Sequence, residues 1–162
     1  MKFIPLLLVL TIGLNALGQV KKSPVSANAN PVIVCPINAS SQVNLAAREL
    51  RRYFYLRTGR LLTISSEKSA KSISLMLDTK LQPEEYRLKS TGQSLEIAAG
   101  SGIGVLYGAY ALVEKLGVRF YLHGDVVPDG KIPLRIPQLD ETKKPLFELR
   151  GIQPFHDFSA VG

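Results

Sequence analysis

Val43, Ala46, Ala47, Leu50, Tyr53 and Phe54 fall at i, i+3, i+4, i+7, i+10 and i+11, one apolar face of a helix. Ser40 or Ser41 can cap its start, and Gly59 ends it. Arg48, Arg51, Arg52 and Tyr55 occupy the other side, so the pattern predicts an amphipathic helix lying on a sheet. A different period follows. Leu62 and Ile64, then Ile73, Leu75 and Leu77, then Tyr86 and Leu88, then Leu95 and Ile97 alternate with polar neighbours. Four short period-2 segments separated by polar turns, such as residues 90–93, predict hairpin-like strands with one covered face. Ahead of them Val32, Ile33, Val34 and Cys35 read as a short buried strand, which Pro36 closes at a strand end or sheet edge.

Residues 102–117 break the alternation, and the core is expected to form around them. From Ile103 to Leu116 the only charges are Glu114 and Lys115, and a helix apolar nearly all round belongs in a core. The run is too short for a bilayer, which needs about 20 residues. Gly104 and Gly108 stack on one helix face and leave room for close approach by a sheet or helix. Gly117 supplies the left-handed cap, and Val118, Phe120 and Leu122 restart a strand. The order β-α-β-β-β-β-α-β implies an α/β fold of the α+β sandwich kind, a mixed β-sheet with two helices packed on one face.

Past His123 the composition changes. Pro128, Asp129 and Gly130 make a turn, and Ile132, Leu134 and Ile136 alternate around prolines as an edge strand or extended connector would. Residues 138–145 are polar and read as a linker, after which residues 146–152 begin a new apolar strand. That strand has no partner in the remaining sequence, so the chain reads as the front of a longer protein. The other end carries Lys2, an apolar run over residues 3–14, and small residues up to Gly18. This is the pattern of a secretory signal peptide with a cut after Gly18. The expected division is a signal peptide at 1–18, a flexible lead-in at 19–31, an α/β domain at 32–137, a linker at 138–145 and a second domain starting at 146–162. Export, to the periplasm or the outside, and the absence of a stable membrane span follow from the same reading.

Charge and candidate chemistry change this picture little. The net charge is +7, but the basic residues are scattered, which argues for a solvated basic surface and against a nucleic-acid partner. Cys35 is the only cysteine, so no intrachain disulfide forms, and no Cys/His cluster suggests a metal site. Gly102 and Gly104 before a helix, with Asp125 after the next strand, imitate a dinucleotide fingerprint. Gly108 comes one position too late for the third glycine, so close packing explains these glycines better and no cofactor is expected. Glycoside hydrolysis needs two carboxylates roughly 5–10 Å apart. Glu84 and Glu85 are adjacent turn residues, no other candidate pair stands out, and no catalytic residue is assigned.

The residues 45–50 (LAAREL), the pair Thr58-Gly59, the residues 94–97 (SLEI), the helix 104–117 (GVLYGAYALVEKLG) and the VRFY that follows resemble a known accessory domain. It is the α/β domain that precedes the catalytic barrel in glycoside hydrolase family 67, the α-glucuronidases, and it is similar to the one preceding the barrel in family 20 β-N-acetylhexosaminidases. The resemblance covers residues 32–137, and residues 145–158 resemble the entry into the barrel. It implies that 32–137 is a non-catalytic accessory domain and that 146–162 begins a truncated (β/α)8 barrel. The partners implied are the chain's own downstream barrel and an oligo- or polysaccharide substrate. In family 20 an arginine ending the first barrel strand binds sugar hydroxyls, and Arg150 matches that position. The resemblance thus makes Arg150, with His156 and Asp157 on the following turn, substrate-binding candidates. The segment RGIQPFHDF at 150–158 tips the resemblance towards family 67 and polysaccharide breakdown. The chain alone, without the families' catalytic carboxylates, is expected to be inactive. The alternative from another class is a self-standing exported module that binds carbohydrate or protein.

Overall fold

The computed structural model describes residues 30–147 and residue 151. The expected signal peptide, most of the lead-in, and residues 148–150 and 152–162 of the expected barrel entry lie outside the described residues. The elements are β1 (Val32–Val34), α1 (Ser41–Thr58), β2 (Thr63–Ser65), β3 (Ser72–Leu77), β4 (Tyr86–Thr91), β5 (Ser94–Ala99), α2 (Gly102–Lys115), β6 (Arg119–Tyr121), β7 (Gly124–Val126) and β8 (Asp140–Lys143).

Both helices form for the reasons the sequence gives. Ser40 is the N-cap of α1 and accepts from the Val43 N–H at 3.4 Å. Gly59 ends the helix at φ 70°, donating its N–H to the Tyr55 carbonyl at 2.8 Å. The buried stripe is the predicted one, extended by Arg57. Ser101 caps α2 by accepting from the Gly104 N–H, and Gly117, at φ 93°, lets the chain reverse just past the last turn.

A six-stranded sheet runs in the order β2-β1-β3-β5-β4-β8. Its architecture is the expected mixed sheet with two helices. The pairing differs from the hairpin series that the alternation suggested. β1, β2, β3 and β5 are parallel, and only β4 runs against its neighbours β5 and β8. Alternation reports which face of a strand is covered, and parallel and antiparallel pairs share that period. Register puts Ile33 beside Ile73, Ile73 beside Leu95, and Leu75 and Leu88 beside Ile97. These side chains share one face, and Leu50, Phe54, Val105, Ala109, Leu112 and Val113 of the two helices close over it as a single core.

Two further segments depart from expectation. Residues 118–122 do not rejoin the main sheet: β6 pairs with β7 as a separate two-stranded hairpin. Val118 and Phe120 still point inward, but Leu122 is 90% exposed because Leu122 and His123 form the turn between Tyr121 and Gly124. Within the stretch read as a linker, Asp140–Lys143 form β8 at the sheet edge, antiparallel to β4. The proline-rich connector before it packs Ile132, Leu134, Ile136 and Leu139 against the core.

Arg57 fixes that connector. It is 5% exposed, and its guanidinium donates to the carbonyls of Leu116, Pro128 and Gly130, each at 2.8 Å. The Arg57 carbonyl in turn accepts from the Ile132 N–H at 2.8 Å. One buried cation thereby ties the end of α1 to the end of α2 and to the return loop.

Candidate functional site

Arg150, His156 and Asp157 lie outside the described residues, so the structure does not bring them together or apart. The chain approaches them through Leu146 and Phe147, which are 91% and 71% exposed. The surface that can be built from residues upward is the one beside this exit.

α2 supplies it. Its fully buried side is Gly104, Val105, Gly108, Ala109, Leu112 and Val113. A second apolar stripe, Ile103, Leu106, Tyr107, Tyr110 and Ala111 at i, i+3, i+4, i+7 and i+8, is only half-buried. Tyr107, Tyr110, Ala111 and Glu114 line a cavity of about 330 Å³ with Tyr86 and with Lys143, Lys144 and Pro145 of the exit strand. Tyr110 also borders a second cavity, of about 470 Å³, between α1 and the β6–β7 hairpin. The two recesses therefore adjoin along one helix.

The second recess is held by a polar and aromatic cluster. Phe120 meets Tyr53 and Tyr110 edge-on, with ring centroids 5.6 and 4.9 Å away. The Tyr53 hydroxyl donates to Asp125 at 2.8 Å, and Arg52 donates to the same carboxylate oxygen at 3.3 Å. Arg52 also lies over the Tyr53 ring at 4.7 Å and pairs with Glu49 at 3.6 Å, while the Tyr110 hydroxyl donates to Glu49 at 3.4 Å. Burial and the bond to Asp125 push the Tyr53 hydroxyl up to about 12. The hydrogen bond from Tyr53, with Arg52 nearby, holds the Asp125 carboxyl below the usual range. Both carboxylates are thus engaged by donors, and the cluster pins the hairpin to α1 and α2. Outward the pinned hairpin presents Leu122, Val126, and Tyr121 stacked on the His123 ring at 5.3 Å, beside the exposed Arg119. Sequence alternation assigned Leu122 to a strand interior; the only signal for its exposure was Gly124, which the reversal at φ 130° uses.

The sign of the pH dependence follows from these shifts. Tyr53 ionises later in the folded than in the unfolded chain, so its contribution is complete below pH 10 and is lost as pH rises through about 12. Asp125 has the opposite shift, so its contribution is present above the ordinary carboxylate value and is lost as pH falls through its lower folded value. Melting curves across alkaline pH should show part of the loss of stability missing in Tyr53→Phe; superimposable losses would contradict the assignment.

The dinucleotide imitation is absent in three dimensions. A Cβ at Gly104 would lie 2.8 Å from both Ala99 Cβ and the Pro83 carbonyl, and one at Gly102 would lie 2.5 Å from Ser40 Oγ. The Ser101 hydroxyl donates to the Pro83 carbonyl across the same end. The start of α2 is filled by the protein's own atoms, and Asp125 is spent on Tyr53 and Arg52. Among the described residues no group of three or more His, Cys, Asp or Glu side chains is placed to hold a metal ion. Cys35 is buried, and burial pushes its thiol up, as for a core residue.

A comparison with known families agrees with the fold. Residues 17–132 match the family described as glycosyl hydrolase family 20, domain 2. The chain belongs to that family. The domain is accordingly a glycoside hydrolase accessory domain, as the resemblance implied. The match is to family 20, and it gives the leaning towards family 67 no support. No curated protein matches the chain. Among solved structures, this family 20 domain is similar to part of the GH20 β-N-acetylhexosaminidase of Streptomyces coelicolor, at 23% identity, 55% of this chain, 17% of that chain and a TM-score of 0.46. It is similar to part of a GH138 enzyme targeting pectin rhamnogalacturonan II, at 16% identity, 55% of this chain, 13% of that chain and a TM-score of 0.44. A β-N-acetylhexosaminidase from Bacteroides fragilis matches at 18% identity, 53% of this chain, 16% of that chain and a TM-score of 0.38. The chain spans less than a fifth of the length of each of these three proteins. Among the described residues no helix is long and apolar enough to cross a membrane.

Proposed function

We propose that this family 20 domain is the non-catalytic front part of an exported glycoside hydrolase and braces a catalytic barrel through α2 and the β6–β7 hairpin. The observation that carries the reading is the second apolar stripe of α2. That stripe is only partly covered: Leu106, Tyr110 and Ala111 pack against the core yet keep part of their surface accessible, beside the exit strand and the hairpin's exposed Tyr121, Leu122 and Val126. A domain docked there would find an apolar centre rimmed by Glu114, Lys143 and Lys144, the usual composition of a contact surface.

The family match favours a parent hydrolase of the family 20 type, acting on N-acetylhexosamines. The α-glucuronidase reading stands on residues 150–158 alone. Arg150, His156 and Asp157 remain the substrate-binding residues of the proposal, at the rim of the barrel that follows. An arginine there offers a rigid fork of donors to sugar hydroxyls.

Leu122→Asp tests the brace. In the chain alone the side chain touches solvent, so the unfolding free energy should stay within about 0.5 kcal/mol of wild type. In the chain extended through its downstream sequence the same substitution should lower the melting temperature or separate the two domains. Equal behaviour of the two extended proteins would remove the hairpin from the contact.

A further inference from the structure

A third cavity, of about 570 Å³, lies away from the α2 surface and is lined by Asn30, Pro31, Arg60, Lys71, Gly92, Gln93, Leu134, Arg135, Ile136 and Gln138. It sits where β1 and β3 begin, beside the β4–β5 turn and just beyond the end of α1. Its volume falls within the roughly 300–1,000 Å³ of small-molecule sites. Three of the lining residues are basic and none is acidic. Among the described residues neither Arg60 nor Arg135 forms an ion pair. The sequence leading into Asn30 adds no opposing charge: residues 1–29 contain no Asp or Glu and carry Lys2, Lys21 and Lys22.

We infer that this cavity is a binding site for an acidic oligosaccharide, with Arg60 and Arg135 receiving its carboxylates. The wall is fixed before any ligand arrives. The Ser90 hydroxyl donates to the Pro137 carbonyl at 2.8 Å, and the Leu139 N–H donates back to Ser90 Oγ at 3.0 Å. The Gln138 amide donates to the Gly92 carbonyl at 3.3 Å, and Arg57 anchors the far end of the same connector. A preformed wall lowers the ordering cost of binding. The accessible parts of Leu134 and Ile136 supply an apolar surface for a sugar ring, Asn30 and Gln93 supply amides for hydroxyls, and the guanidinium forks match carboxylates. Among the described residues no aromatic ring lines the cavity, so it offers the bases of a nucleic acid no aromatic platform.

The site stands apart from the docking surface and does not depend on it. Its test is a titration of the full chain with a hyaluronan tetrasaccharide, which alternates uronic acid with N-acetylhexosamine. Chitotetraose serves as the uncharged control of equal ring number, with inorganic sulfate and a short oligonucleotide as the other anions. The tetrasaccharide should bind with an affinity that falls as salt rises, and chitotetraose should bind at least tenfold more weakly. Arg60→Gln with Arg135→Gln should weaken the acidic sugar at least tenfold without moving the melting temperature, since both side chains are exposed. Absence of binding, or binding unchanged in the double variant, overturns the inference. So does sulfate binding as tightly as the sugar, which would mark a bare anion site, or tighter binding of the oligonucleotide.

Discussion

Arg57→Met is expected to destabilise the domain by about 3 kcal/mol, since it strips the donor from three backbone carbonyls at once. The aliphatic replacement keeps much of the volume but leaves the carbonyls of Leu116, Pro128 and Gly130 without their donor. Each unsatisfied buried group costs roughly 1–3 kcal/mol, and loop relaxation towards water recovers part of it. The connector at residues 128–139 should loosen first, because Arg57 holds both its carbonyls and its Ile132 N–H. Urea unfolding measures the loss, and a midpoint equal to wild type would show that the connector is held by its apolar residues alone.

The second large effect is expected at the glycine face of α2. A Cβ on Gly108 would sit 2.7 Å from Ile97 Cγ2, and one on Gly104 would press on the Pro83 carbonyl and Ala99 Cβ. Ile97 is fully buried on an interior strand of the sheet. Gly108→Leu should therefore overpack the core and cost about 1–3 kcal/mol, despite the better helix propensity of leucine. Gly104→Leu should cost at least as much, since its neighbour is backbone. A thermal melt unchanged in both variants would mean that α2 can slide off the sheet, and would contradict the close packing.

These two sites differ in how well the sequence announces them. The Gly104 and Gly108 spacing falls on one helix face, so their role is legible from periodicity alone. Arg57 is not, because an arginine in the last turn of an amphipathic helix usually points to solvent. Its burial depends on the return of a loop 71 residues later. The same distinction runs through the fold. Caps and stripes are local, and α1 follows them from Ser40 to Gly59. Strand pairing is not local, so the parallel arrangement of β1, β2, β3 and β5 was hidden behind an alternation that hairpins would share. The β6–β7 hairpin was hidden because Val118, Phe120 and Leu122 alternate as a core strand would, while Leu122 in fact occupies a turn. At the candidate surface, the apolar excess of α2 was plain in the sequence. That half of it is only partly covered is visible only once the two helices and the sheet are placed. Arg150, His156 and Asp157 came from resemblance to a barrel entry, outside the described residues.

Hydrogen–deuterium exchange tests the brace most directly, comparing the chain alone with the chain extended through its downstream sequence. The account predicts slower exchange in the extended protein at the hairpin amides of residues 119–126 and at the outer turns of α2, with the β2 edge of the sheet unchanged. Identical exchange at the hairpin and α2 in the two proteins, or protection appearing at the β2 edge instead, would contradict it.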